Sequence, residues 1–301
     1  MANRVFYASQ GVEVKASGGS YTPVQGAQSV SVQSNFTLEQ AFQLGRLSLY
    51  NNVVTNPEVT VTISKVLDGK DTIYKMATGG GDLITNEADR CDILVGVGSD
   101  ASGVLTSTEA VQMTGMYLSS VSYTMPVDGF MTEEVSFIGD NKSYTTTETV
   151  NAPSDDSQIV LRRQNFGSGT LPSEVNGQNI TNVTINADLG REAMFKLGQF
   201  GPFHRFTNFP LEVTCEFEVS ATGVDRVAVS QSVTCTGGTL PTEQQITIVL
   251  CDPNTGNTGY TFNLGNKNRL TSVNYQGGDT GGGNATITYS YSTYNDLSIT
   301  G

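Results

Sequence analysis

Histidine occurs once in the 301 residues, as His204, and tryptophan is absent. One imidazole leaves no second histidine in reserve for a proton relay, and no Gly-x-Ser-x-Gly elbow is present, so nucleophilic hydrolysis finds little support. His204 stands in GPFHRFTNFP beside Arg205 and reads as a structural residue. Without tryptophan a sugar-stacking platform is missing, and no carboxylate pair is singled out for glycoside chemistry. Basic residues are scarce: 16 Lys and Arg face 29 Asp and Glu, for a net charge of −13 and a pI near 4.4. That balance excludes a DNA-wrapping surface, which needs clustered cations. It fits a soluble chain or a surface that repels polyanions.

Cysteine is rare too. Cys91, Cys215, Cys235 and Cys251 fit no Cys-x-x-Cys spacing and read as buried free thiols. Long apolar runs are lacking, so neither a signal peptide nor a membrane span is expected, and assembly in a cytoplasm is. Asp82, Glu87, Asp89 and Asp92 lack the spacing of an EF-hand loop and read as solvated carboxylates. GVGSDA (96–101) has a dinucleotide-like spacing but no helix after it, and GGDTGGG (277–283) has no Lys-Ser/Thr. Both read as turns. No catalytic, cofactor-binding or metal-ligating residue is named, no cofactor is expected, and the chain does not read as an enzyme.

What the chain has in abundance is glycine, 33 residues of it, with short alternating segments rich in Val and Thr. VTVTIS, CDILVGV, SSVSYTM and EEVSFIG in the first half read as half-buried strands of period two, as do EVTCEFEVS, QQITIVLC, TSVNYQG and NATITYSYS in the second. The fold class is mainly β: two tandem, homologous β-sandwich domains, each with one flanking α-helix.

The tandem reading comes from a repeat. At an offset of 153, Val30 falls on Val183, Val32 on Ile185, Asn35 on Asp188, Glu39 on Glu192, Phe42 on Phe195, Leu44 on Leu197, Gly45 on Gly198 and Pro57 on Pro210. At an offset of 152, Leu118, Val121 and Tyr123 fall on Leu270, Val273 and Tyr275, and Gly129, Val135 and Phe137 on Gly281, Ile287 and Tyr289. The expected domains are 1–142 and 158–301, joined by a polar linker at 143–157.

Each half holds one expected helix, NFTLEQAFQLG (35–45) and DLGREAMFKLG (188–198). Asn35 and Asp188 are the expected N-caps, Leu38 and Phe42 or Met194, Phe195 and Leu197 the packed faces, and Gly45 and Gly198 the C-terminal stops. With Glu39, Leu44 and Glu192, these residues are the candidate packing elements between subunits. Two long loops in matching places, 78–89 and 230–244, are the candidate contacts between rings, through Asp82, Glu87, Asp89, Thr234, Thr239 and Glu243.

The segment LGREAMFKLGQFGPFHRFTNFPLEVTCEFEVSATGVD (189–225) resembles the helix-and-strand signature of tail tube proteins of long-tailed bacteriophages: Gly-Arg-Glu, Leu-Gly, an aromatic stretch, then Phe-Pro and a strand. The segment 36–69 is similar in a more divergent form, with Thr37, Leu38 and Glu39 in place of Gly-Arg-Glu and Asn56-Pro57 in place of Phe209-Pro210. The resemblance implies a structural virion protein that stacks as rings into a channel for DNA. A duplicated chain would form a homotrimeric, pseudo-hexameric ring. It implies as partners further copies of itself and other tail proteins (sheath, baseplate, tape measure). DNA would pass without specific binding, no membrane is involved, and the location is the virion after assembly in a host cytoplasm. A tail-tip, baseplate or tail-completion ring is the nearest alternative. A glycan-binding β-sandwich module is the more distant one.

Overall fold

A computed structural model describes residues 10–85, 89–98, 107–154, 160–167, 169–230, 240–252, 256, 258–277 and 284–301. Among these the first half contains β1 (Gln10–Ala16), β2 (Thr22–Pro23), β3 (Ala27–Asn35), β4 (Leu38–Phe42), β5 (Leu49–Val54) and β6 (Glu58–Val66). The helix α1 (Ile73–Thr78), β7 (Arg90–Gly98), β8 (Ser107–Pro126), β9 (Thr132–Gly139) and β10 (Lys142–Thr145) follow. The second half contains β11 (Asn179–Asp188), β12 (Glu192–Met194), β13 (His204–Phe206), β14 (Glu212–Ser220) and β15 (Thr247–Cys251). It ends with β16 (Thr258–Asn263), β17 (Arg269–Gln276), β18 (Thr286–Tyr294) and β19 (Ser298–Thr300). The chain is mainly β, as the alternation predicts.

One continuous antiparallel run organises the molecule: β3–β6–β9–β8–β11–β14–β18–β17. Each half contributes four strands in the same order. Along β6 and β14 the alternation is strict, with Val59, Val61 and Ile63 or Val213, Cys215 and Phe217 buried and the residues between them facing out. Burying a Phe such as Phe137 or Phe217 contributes roughly 1.5–3 kcal/mol. A one-residue slip would turn every such side chain outward, which fixes the register.

The irregularities coincide as well. β3 shifts register between Ala27 and Ser29, and β11 between Ile180 and Asn182, the same places at an offset of 153. β8 shifts between Leu118 and Ser120, and β17 between Leu270 and Ser272, the same places at an offset of 152. In the last strand the sequence match needs correcting. Val121 pairs with Val135 while Val273 pairs with Tyr289, so Val135 corresponds to Tyr289 and the offset there is 154, not 152. A two-residue slip preserves the inward–outward alternation, so the pattern alone does not detect it.

The remaining strands share the core with this run. Ile93 and Met113 of β7 and β8, and Ile248, Tyr260 and Phe262 of β15 and β16, join Val61, Phe137, Ile185 and Phe217 in one cluster. Phe262 meets Tyr123 edge-on, with ring centroids 4.8 Å apart. The stretch read as a linker is partly built into the fold: β10 pairs with β8, and Val150 is buried with Leu94 and Ala110. Cys91 and Cys215 are buried and free, Cys251 is half-buried and free, and burial pushes the Cys91 and Cys215 thiols up. Cys235 lies outside the described residues.

The α-helix found among the described residues is not one of those expected. α1 follows β6, with Thr72 Oγ1 accepting the Lys75 N–H at its start and Gly79 left-handed (φ 65) at its end. Its first turn is held by a buried carboxylate. Glu133 accepts from the N–H groups of Ile73 (2.7 Å) and Tyr74 (3.0 Å) and from the Tyr123 hydroxyl (2.8 Å). Burial raises the Glu133 pKa, and these donors and Lys65 counteract it.

Candidate assembly surface

Three features mark the surface of the described chain: two open edges, a polar face and two projecting arms. The open edges are β3 and β17. Each pairs on one side only among the described residues. Inside the chain their counterparts are joined. β8 and β11 pair antiparallel, with Ile185 opposite Tyr123, Asn186 opposite Ser122 and Ala187 opposite Val121. At that seam Ile185, Tyr123, Val183 and Val121 are buried. Their counterparts at the edges, Val32, Tyr275, Val30 and Val273, remain half-buried or exposed. The edges therefore carry apolar side chains that are less covered than those of the seam, and unpaired edge groups invite further pairing.

The face of the run turned away from the core is hydroxyl- and amide-rich. Ser31, Thr62, Ser136, Ser122, Thr184, Asn186, Thr288 and Ser290 stand on it, with cross-strand bonds from Ser122 to Asn186 (2.6 Å) and between Thr62 and Ser136 (3.0 Å). Its charges are the carboxylates Glu58, Glu134, Asp188, Glu212, Glu216 and Glu218. To these β17 adds one cation, Arg269, exposed at the register opposite Ser292 and bound to Glu243 at 3.1 Å.

The arms correct the expected helices. Both segments are β-hairpins: β4 pairs with β5, and β12 with β13. The registers agree at an offset of 153, with Glu39, Gln40 and Ala41 opposite Val53, Asn52 and Asn51, and Glu192, Ala193 and Met194 opposite Phe206, Arg205 and His204. Asn35 and Asp188 end the preceding strands instead of capping helices. Gly45 and Gly198 do take the left-handed conformation, both at φ 85, but in hairpin tips. The expected inward faces point to solvent. Leu38, Phe42, Met194 and Phe195 are exposed, and Leu44 and Leu197 are fully so. An 11-residue helix with nothing to pack on is marginal in water. The β-branched and aromatic residues of the return strand, Val53, Val54 and Phe206, give the extended form a partner instead.

The second arm is seated on the first half. Arg205, itself buried, reaches Asp140 at 2.5 Å and Glu58 at 3.6 Å. His204 Nδ1 lies 3.1 Å from the Tyr117 hydroxyl and accepts from Arg90 at 3.4 Å. Arg191 donates to the Leu118 carbonyl (2.6 Å). A cleft of about 760 Å³ separates the arms, between Val53 and Val54 of one and Phe195 and Phe200 of the other. The first arm has no such seat: every residue of β4 and β5 is exposed. The sequence gives no sign of Asp140 and Tyr117 as partners of the second arm. The signal it had was His204 next to Arg205 in an aromatic stretch.

The two loops are described in part. Asp82 bridges to Ser298 and accepts the N–H groups of Ile84 and Thr85, while Leu83 is buried, so 81–85 is tied to the end of the chain. Asp89 is half-buried. Glu243 pairs with Arg269 (3.1 Å). Glu87, Thr234 and Thr239 lie outside the described residues. Asp92 is bound by Lys15 (2.8 Å) and the Gly115 N–H, and among the described residues no acidic, His or Cys group is arranged to hold a metal. No described helix is long and apolar enough to cross a membrane.

No protein-family profile matches the chain, and no curated protein matches it. Among solved structures it is similar to the tube-terminating cap of the anti-feeding prophage, known from cryo-electron microscopy. The two share 12% identity over 49% of this chain and 94% of that one, with a TM-score of 0.38.

Proposed function

We propose that the chain is a tandem duplication of a ring-forming unit and acts as a structural subunit of a phage tail tube. In this reading β17 of one copy pairs with β3 of the next as β8 pairs with β11 inside the chain. Three copies then close a ring of six pseudo-equivalent units, and closure removes both open edges.

The observation that carries the reading is the seam. It supplies a worked example of the joint, with buried residues whose counterparts wait half-covered at the two edges. Transferring its register puts Val32 opposite Tyr275, Gln33 opposite Asn274 and Ser34 opposite Val273. The matching bulges support the same transfer, since a bulge fixes local twist and register. The polar face would line the channel. Hydroxyls, amides and carboxylates, with the one cation Arg269 tied to Glu243, give phosphates little to bind, so DNA passes without sticking. The resemblance of 189–225 to tail tube proteins assigns the biological setting.

Electron microscopy and light scattering of the purified chain test the proposal. Closed rings or stacked tubes with three chains per ring support it, and tubes as against single rings separate a tube subunit from a tip or completion ring. A stable monomer at high concentration would overturn it.

A further inference from the structure

The second arm has a seat and the first has none, yet the two hairpins share register and tip conformation. We infer that the first arm docks on the second half of a neighbouring copy, in the place equivalent to the seat of the second arm. This inference rests on the ring reading above. The correspondences of strand pairing assign the contact groups. On the arm, Asn52 stands where Arg205 does, and Val53 where Phe206 does. On the seat, Tyr294 follows Thr293 as Asp140 follows Gly139, Phe209 stands before Pro210 as Asn56 stands before Pro57, and Glu212 and Arg269 stand where Glu58 and Tyr117 do. Val53, Tyr294 and Phe209 are each about half exposed in the single chain.

The two joints therefore differ in chemistry. Within the chain a buried guanidinium sits between Asp140 and Glu58. Between chains an uncharged amide, Asn52, replaces the guanidinium and meets the Tyr294 ring, flanked by Val53 and Phe209, with Glu212 and Arg269 as the charged groups of the seat. A joint centred on a buried ion pair alternates around the ring with a more apolar one, and salt weakens the first more than the second. The apolar one drives association through buried area. The division suits the topology: the ionic pair orients an arm whose partner is already covalently linked, while the apolar patch recruits a separate copy.

A cysteine pair tests this. Asn52→Cys and Tyr294→Cys are both at exposed positions, and a short bismaleimide bridges thiols that lie within a few ångströms. The doubly substituted chain should give a ladder on denaturing gels that ends at a covalent trimer. Each single variant and the parent chain should give no such ladder. Three-chain rings without the cross-link would overturn the inference and leave the ring reading standing. So would a ladder running past three chains, because it would put the seat in another ring. Failure to form rings, by light scattering before cross-linking, would overturn the ring reading and the inference with it.

Discussion

Arg205 of the second arm and Asp140 at the end of β9 form a charged hydrogen bond across the two halves, 2.5 Å long, with the guanidinium buried. It pins an otherwise apolar, solvent-exposed hairpin to the first half. Asp140→Ala leaves the buried cation with only Glu58, at 3.6 Å. Removing one partner of a buried pair costs about 3–5 kcal/mol. Part of that loss falls on arm docking, so the expected outcome is a fall of about 3 kcal/mol in unfolding free energy, read by urea denaturation. Protease cleavage between Met194 and His204 should rise in parallel.

The open edge makes a separable prediction. Val32 is half-exposed in the single chain, while its seam counterpart Ile185 is wholly buried. Val32→Glu should therefore change monomer stability by no more than about 1 kcal/mol, because the carboxylate stays in water. In the ring the same carboxylate would face a closed joint, at a cost of several kcal/mol. Circular dichroism should report a folded chain, and sedimentation should report loss of rings.

These two sites measure what the sequence makes legible. The alternation of Val59, Val61 and Ile63 reads directly as a strand, because one face is buried. The matched spacing of Val30 and Val183 or Gly45 and Gly198 is equally visible, and the two glycines take the same left-handed conformation at hairpin tips. The arms were not legible in the same way. Leu38, Phe42 and Leu44 recur at helical spacing, and the rule that apolar residues face inward turns that spacing into a packed helix. In the single chain they face water, on a hairpin that projects from the core. Arg205 and Asp140 lie 65 residues apart, and no local pattern announces their pairing.

Glu133 makes the fold pH-dependent. Burial raises its pKa above the unfolded value, so the folded state holds its proton more tightly. Its contribution to stability is fully present below the unfolded carboxylate range and is lost as pH rises through the folded value. Glu133→Gln removes this titration but leaves an amide facing the Ile73 and Tyr74 donors, at about 1–3 kcal/mol for the mismatch. Unfolding measured between about pH 4 and 7 should show a shallower decline of stability with rising pH in the variant.

The polar face predicts passivity toward DNA. Assembled parent rings should not retard duplex DNA in low salt. Thr62→Lys, Thr184→Lys and Thr288→Lys together place cations on that face, repeated by every copy in the ring. Retardation should then appear and weaken steeply with salt, with a slope of about 0.9 per phosphate engaged. A parent ring that retards DNA as strongly as the variant would remove the passive-channel reading.

The central claim is that the joint between chains repeats the joint within the chain. A cryo-electron microscopy reconstruction of the assembled protein tests it most directly. The account predicts a closed ring of three chains, with β3 of one copy paired antiparallel to β17 of the next and Val32 opposite Tyr275. A ring of six chains, or a ring in which β3 and β17 stay unpaired, would contradict it.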